Sequence, residues 1–148
     1  MAKFYYLVII LSILNSCSTS SISIPSNDSE ISHIINHNYS EINQYKISWK
    51  TTFSQAKTSY FVYFYSLTCS HCEQLKNDII EYALKNENMY FCQNSEEVII
   101  TENVYSTIGI SSYEHLSILG FPSLIYIENG ILKSNIAGVP NIKIVLNL

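Results

Sequence analysis

Basic residues are scarce in this chain. Eight Lys and Arg stand against twelve Asp and Glu, for a formal net charge of −4, and nowhere do the basic residues cluster. A surface that neutralises a run of phosphates needs such a cluster, so nucleic acid is not an expected partner. A long apolar run is also missing. The N-terminal run from Phe4 to Leu14 spans about 11 residues, against the ~20 that a transmembrane helix needs. Cysteine is sparse: of four in 148 residues, only Cys69 and Cys72 are close in sequence. Cys17 and Cys92 stand alone, whereas a zinc site wants a second ligand pair beside the first. His33 and His37 have helical i, i+4 spacing, but they lie in a polar stretch far upstream and read as solvated side chains. No metal site is therefore expected. No internal repeat is visible.

What is present centres on Cys69-Ser70-His71-Cys72. This C-x-x-C pair follows a run of aromatic and β-branched residues, Tyr60 to Tyr65, and precedes an apolar helical pattern. A thiol pair at a strand-to-helix junction suits dithiol–disulfide exchange. Cys69 then lies at a helix N-terminus, where unpaired N–H groups and the macrodipole favour a thiolate. Cys72 lies one turn along, close enough to close a small disulfide with Cys69. Two other readings of the same spacing stay open: half of a zinc site, and a purely structural disulfide.

The first residues, Met1-Ala2-Lys3 and the apolar run after them, fit the charged and hydrophobic regions of a secretory signal. Leu14-Asn15-Ser16-Cys17 resembles a bacterial lipobox, which implies cleavage before Cys17 and lipidation of its thiol. The alternative is ordinary signal cleavage and a secreted chain. Either way the mature chain is expected outside the cytosol, where disulfides persist. The expected organisation is a signal peptide over 1–16, a lipid-anchor cysteine with a Ser/Asn-rich flexible tether over 17–45, and one domain over 46–148, long enough for a modest core.

Within that domain, Trp49 to Lys57 reads as a first helix or helical turn. Tyr60 to Tyr65 is apolar on both faces, as in a buried strand of a parallel sheet. Cys69 to about Lys85 is the clearest helix, with Cys72, Leu75, Ile79 and Ala83 tracing one face at spacings of three and four. Met89 to Cys92 is a second buried strand, in which Cys92 acts as a small hydrophobe. Ser111-Ser112-Tyr113-Glu114 has the pattern of a capping box and predicts a short helix through Leu119, with His115 on its surface. Ser123 to Glu128 and Ile131 to Ala137 read as strands joined by an Asn129-Gly130 hairpin turn, which needs positive φ at both positions. A short terminal helix follows Gly138-Val139-Pro140.

From about Trp49 to Leu148 the chain resembles the thioredoxin superfamily. The likeness rests on two separated motifs, strand–Cys69-Ser70-His71-Cys72–helix and Gly120-Phe121-Pro122-Ser123 opening the hairpin. It implies an α/β thioredoxin fold, a central mixed β-sheet flanked by helices. It also implies a cis Phe121–Pro122 bond beside the Cys69–Cys72 disulfide, with Phe121 and Pro122 forming the platform on which a substrate cysteine segment pairs. Cys69 would be the attacking thiolate and Cys72 the resolving thiol. The departures matter. Thr68 replaces the tryptophan that precedes the first cysteine in the most typical reductases. Tyr63 stands where those reductases carry a buried acid that helps move the proton off the second cysteine. Ser70 and His71 replace Gly-Pro, and a histidine before the second cysteine is similar to the oxidases and isomerases, where it stabilises the thiolate and raises the potential.

The expected function is membrane-tethered, extracytoplasmic thiol–disulfide exchange with cysteine-containing exported proteins. It needs no cofactor, and a membrane redox partner would turn the site over. The alternative is a non-catalytic accessory or binding module, for instance for peptide export, in which the cysteines are a staple.

Overall fold

The computed structural model describes residues 35–148. The signal, the lipobox and Cys17 lie outside the described residues. Five strands form one mixed sheet: β1 (Lys46–Ile47), β2 (Ser59–Tyr65), β3 (Met89–Gln93), β4 (Ser123–Glu128) and β5 (Ile131–Ala137), in the spatial order β1-β3-β2-β4-β5. β1, β3 and β2 run parallel, while β4 is antiparallel to both β2 and β5. The two α-helices are α1 (Ser70–Asn86), crossing from β2 to β3, and α2 (Val139–Leu146) at the C-terminus. This is a thioredoxin-like fold.

The unbroken apolar run of β2 is explained by burial on both sides. Its side chains alternate between two cores, as a period of two requires. Tyr63 and Tyr65 face one core with Phe91 and Leu124, covered by Cys72, Leu75, Ile79, Ile80 and Ala83 of α1 and by Ile142 and Leu146 of α2. Tyr60, Val62 and Phe64 face the other, with Ile125, Ile127 and Leu132. That second core is covered without an α-helix. Trp49 sits in a one-turn 3-10 helix, Trp49–Thr51, capped reciprocally by Ser48 and Thr51, and meets Phe64 edge-on with ring centroids 5.5 Å apart. Leu116 and Ile118 complete the cover.

The helix expected from Ser111 through Leu119 does not form. Ser112, not Ser111, caps a single 3-10 turn, Tyr113–His115, by accepting the Glu114 N–H at 3.3 Å. Beyond it the chain is extended. Ile118 bridges the chain at Ile99–Thr101 through two backbone hydrogen bonds of 2.9 Å, and the Ser117 carbonyl accepts from the Asn135 amide at 2.8 Å. Burial of Leu116 and Ile118, two apart, has the period of a strand, and it outweighs the local cap. The Asn129-Gly130 turn forms as the dipeptide predicts, with φ of 52° and 72°.

The folded unit also begins earlier than the 46–148 boundary. Tyr39 and Ile42, in the stretch expected to be tether, belong to the helix-side core. Tyr39 stacks on Tyr65 with centroids 4.2 Å apart, and Ile42 is fully buried. The His37 N–H donates to Asn77 Oδ1 of α1 at 2.9 Å, and the Asn38 N–H and His37 ring both meet Glu41. Two apolar side chains with this much burial, about 1.5–3 kcal/mol each, are enough to hold a short polar segment down.

Candidate active site

β2 is followed by a four-residue connection, and Cys69 ends it. Its N–H donates to the Ser66 carbonyl at 3.2 Å, while the Ser66 and Thr68 hydroxyls lie 3.1 Å apart, closing the connection into a tight turn. Cys69 is the N-cap of α1, in extended conformation at φ −91° and ψ 116°. A cap side chain accepts one of the helix's orphan N–H groups, and here the acceptor is sulfur: the Cys72 N–H donates to Cys69 Sγ at 3.2 Å. The helix starts so that three residues later Cys72 points inward, fully buried, while Ser70 and His71 between them are exposed. Cys69 itself is half-buried. All of this follows from the 3.6-residue period: a two-residue spacer is the one that puts one cysteine at the rim and the other beneath it.

The sheet register supplies the facing wall. Ser123 pairs with Phe64 across β2 and β4, so the residues just before Ser123 lie beside the Cys69 turn. The Phe121–Pro122 bond is cis. The Phe121 carbonyl lies 3.4 Å from Cys69 Sγ and accepts its thiol hydrogen. The Pro122 carbonyl accepts the Gly138 N–H at 3.0 Å, tying the segment to the end of β5. Next to the thiol, a groove of about 330 Å³ is lined by His71, Gln74, Phe121, Pro122, Val139 and Pro140. The residues singled out from the sequence, Cys69, Ser70, His71, Cys72, Phe121 and Pro122, are thus brought to one end of the sheet.

Cys69, Cys72 and Cys92 are free thiols in this structure. Burial, and then the neighbouring Cys69 sulfur, push the Cys72 thiol up. Cys92 belongs to the opposite core, and burial pushes its thiol up to about 12. His115 is exposed. Among the described residues no three His, Cys, Asp or Glu side chains gather as a metal site would need, and no helix is long and apolar enough to cross a membrane. Tyr63, at the position where the resemblance would have an acid, is fully buried in the same core as Cys72. Tyr39, which adjoins it, gave no signal in the sequence: it sits between Asn38 and Ser40, and only the fold brings it to the site.

The fold and the cysteine pair together define the class: a thioredoxin-like domain with a dithiol at the first turn of α1. No protein-family model matches the chain, and no characterised protein matches it in sequence. Among solved structures, a thioredoxin of Plasmodium falciparum is similar at 18% identity over 69% of this chain and 95% of that one, with a TM-score of 0.47. The mitochondrial thioredoxin 3 of Saccharomyces cerevisiae, in its oxidised form, is similar at 14% identity over 70% and 93%, with a TM-score of 0.45. Thioredoxin f2 of Chlamydomonas reinhardtii is similar at 14% identity over 68% and 88%, with a TM-score of 0.42.

Proposed function

We propose that this protein is an extracytoplasmic thiol–disulfide oxidoreductase, tethered to a membrane through a lipidated Cys17, that exchanges disulfides with cysteine-containing exported proteins. The observation that carries this reading is the asymmetry of the cysteine pair. Cys69 is half-buried, its Sγ accepts the Cys72 N–H at 3.2 Å and lies 3.4 Å from the carbonyl of Phe121, which lines an open groove, while Cys72 is fully buried. A staple needs no such asymmetry; exchange does, because an outside thiol must reach one sulfur and not the other.

In the reducing direction, the Cys69 thiolate attacks a substrate disulfide sulfur. An S–S bond forms to Cys69 and the substrate's other sulfur leaves as a thiolate. Cys72, having lost its proton, attacks Cys69 Sγ. The Cys69–Cys72 disulfide forms and the second substrate thiolate is released. The oxidising direction is the same sequence reversed. In this reading His71 and Ser70, exposed at the start of α1, tune the pair, and Phe121 and Pro122 hold the substrate segment. The chemistry needs no cofactor, only a membrane or soluble thiol partner to reset the pair.

The test is reduction of a protein disulfide by dithiothreitol, with and without the reduced protein. The wild type should accelerate it, Cys69→Ser should abolish the acceleration, and Cys72→Ser should accumulate a mixed disulfide at Cys69. A wild type no faster than dithiothreitol alone would leave the accessory-module reading in its place. For the anchor, Cys17→Ala should release the protein from membranes or block its processing, since the apolar run before it is too short to span.

A further inference from the structure

A cavity of about 610 Å³ adjoins the exchange groove and takes no part in the exchange described above. Its walls include Glu102, Val104 and Tyr105 from the loop after β3, Leu119 from the stretch before the cis proline, and Ile136 and Ala137 of β5. The loop is fastened at both ends. The Thr101 N–H donates to the Ile118 carbonyl at 2.9 Å, and Thr107 Oγ1 accepts from the Asn135 amide of β5 at 3.1 Å. Between those ties the Asn103 side chain accepts the Tyr105 N–H at 2.9 Å. The loop's own hydrogen bonds thus form this wall without a ligand. Cavity and groove meet along the chain at two places. Ala137 lines the cavity and Gly138 the groove; Leu119 lines the cavity and Phe121 the groove. Cys69 Sγ is 3.4 Å from the Phe121 carbonyl, and Leu119, two residues back, is at most ~7 Å further. Together that is about three residues of extended chain at ~3.3 Å each.

The chemistry of the walls selects a cation. Glu102 is exposed, and none of the ion pairs among the described residues includes it. No lysine, arginine or histidine lines the cavity. Tyr105 is 86% exposed, so its ring is open to a ligand, and a cation set over an aromatic face beside a carboxylate is held by both. Val104, Leu119 and Ile136 offer apolar contact to the methylene stem that carries such a charge. We propose that this cavity is a second subsite of the exchange groove, which takes a lysine or arginine side chain about three residues from the reactive cysteine of a protein substrate. The inference rests on the exchange reading above and narrows it: the favoured substrates are exported-protein segments with a basic residue near the cysteine. An acidic residue at the same place is repelled by Glu102, so the subsite rejects as well as selects.

The test uses synthetic peptides, each with one cysteine joined by a disulfide to thionitrobenzoate, mixed with reduced full-length protein. The Cys69 thiolate attacks the peptide sulfur, an S–S bond forms between them, and thionitrobenzoate leaves as a coloured anion whose absorbance gives the rate. Lysine, norleucine or glutamate is placed at each position within about five residues on either side of the cysteine, in an otherwise alanine and serine sequence. The wild type should take the lysine peptide at least ~3-fold faster than the norleucine peptide where the side chain stands about three residues from the cysteine, with glutamate slowest. That advantage should fade as salt rises, since the pair is exposed. Tyr105→Ala and Glu102→Gln should each lower the lysine-to-norleucine ratio, and Glu102→Lys should reverse the order, glutamate ahead of lysine. Equal rates for lysine and norleucine at every position would overturn the subsite. So would a lysine preference of the same size at every position, the mark of general charge attraction, or one that Glu102→Lys leaves unchanged. Release of thionitrobenzoate by Cys69→Ser as fast as by the wild type would overturn the exchange reading itself, and the subsite with it.

Discussion

Tyr60 and Tyr63 stand three residues apart on β2, and their hydroxyls set opposite responses to the same substitution. Both rings are buried, at 1% and 0% exposure. The Tyr60 hydroxyl donates to the Thr52 carbonyl at 2.9 Å. Tyr60→Phe removes that bond and leaves a buried carbonyl without its donor, which should cost about 1–3 kcal/mol. The Tyr63 hydroxyl has no partner. Tyr63→Phe keeps the ring, and with it the stack on Tyr65 and the edge contact with Phe91, but removes the desolvated oxygen. It should therefore stabilise the fold, by ~1 kcal/mol if about half the usual penalty is recovered. Urea unfolding of the reduced protein measures both. With a slope of about 1–2 kcal/mol/M, the Tyr63→Phe midpoint should rise by about 0.5–1 M and the Tyr60→Phe midpoint fall by at least as much. Destabilisation by Tyr63→Phe would mean that the hydroxyl is bonded after all, and the reasoning from an unpartnered oxygen would fail.

Iodoacetamide added to the native reduced protein at pH 8 should modify Cys69 first and leave Cys72 and Cys92 unmodified until the chain unfolds, since both are buried and their thiols pushed up; peptide mapping reads the order. The Cys92 thiol is pushed up from 9.0 to about 12, so between those pH values the unfolded chain gives up a proton that the folded chain keeps, and stability falls as pH rises. Cys92→Ala should flatten that slope in alkaline denaturation curves, whatever it does to stability at neutral pH. Asn135, buried, donates to Thr107 Oγ1 at 3.1 Å and to the Ser117 carbonyl at 2.8 Å; Asn135→Ala should cost ~2–3 kcal/mol and lower the thermal midpoint by several degrees.

Much of the site-bearing half of the fold was legible because its signals are local and agree with one another. The double-sided apolar run of β2, the Cys72-Leu75-Ile79-Ala83 spacing of α1 and the Asn129-Gly130 turn each name one structure, and each forms. Two places misled. At 111–119 the Ser/Glu pattern is a genuine helix-start signal, but the backbone of Ile118 is claimed by residues 99–101 and that of Ser117 by Asn135. Those partners are distant in sequence, and no window of a dozen residues contains them. At 35–45 the composition is that of a linker, and burial depends chiefly on Tyr39 and Ile42, with Tyr45 partly buried beside them, whose partners are Tyr65 and the helix-side core. Tertiary contacts overrode weak local preference in both places.

The tyrosines separate structure from site more finely than the motif does. The rings of Tyr60, Tyr63 and Tyr65 are all buried on β2, and each hydroxyl is desolvated with its ring. Tyr60 bonds the Thr52 carbonyl and Tyr65 bonds Gln93 Oε1 at 3.3 Å. Those two are the ordinary solution to burying a polar group. Tyr63 alone of the three is left unpartnered, and it is the one that faces Cys72. Tyr39, the other unpartnered phenol among the described residues, joins the same core from a segment that Ile42, Tyr45 and the His37 N–H bond to Asn77 also hold. A core shaped only for stability would place phenylalanine at both positions, with the same stacking and no orphaned oxygen. Departures from local consistency that cluster at one point are expected at functional sites. These two belong to the same helix-side core as Cys72. Tyr39 also accounts for the early start of the domain: it stacks on Tyr65 with centroids 4.2 Å apart, and with the fully buried Ile42 it brings residues 35–45 into the fold.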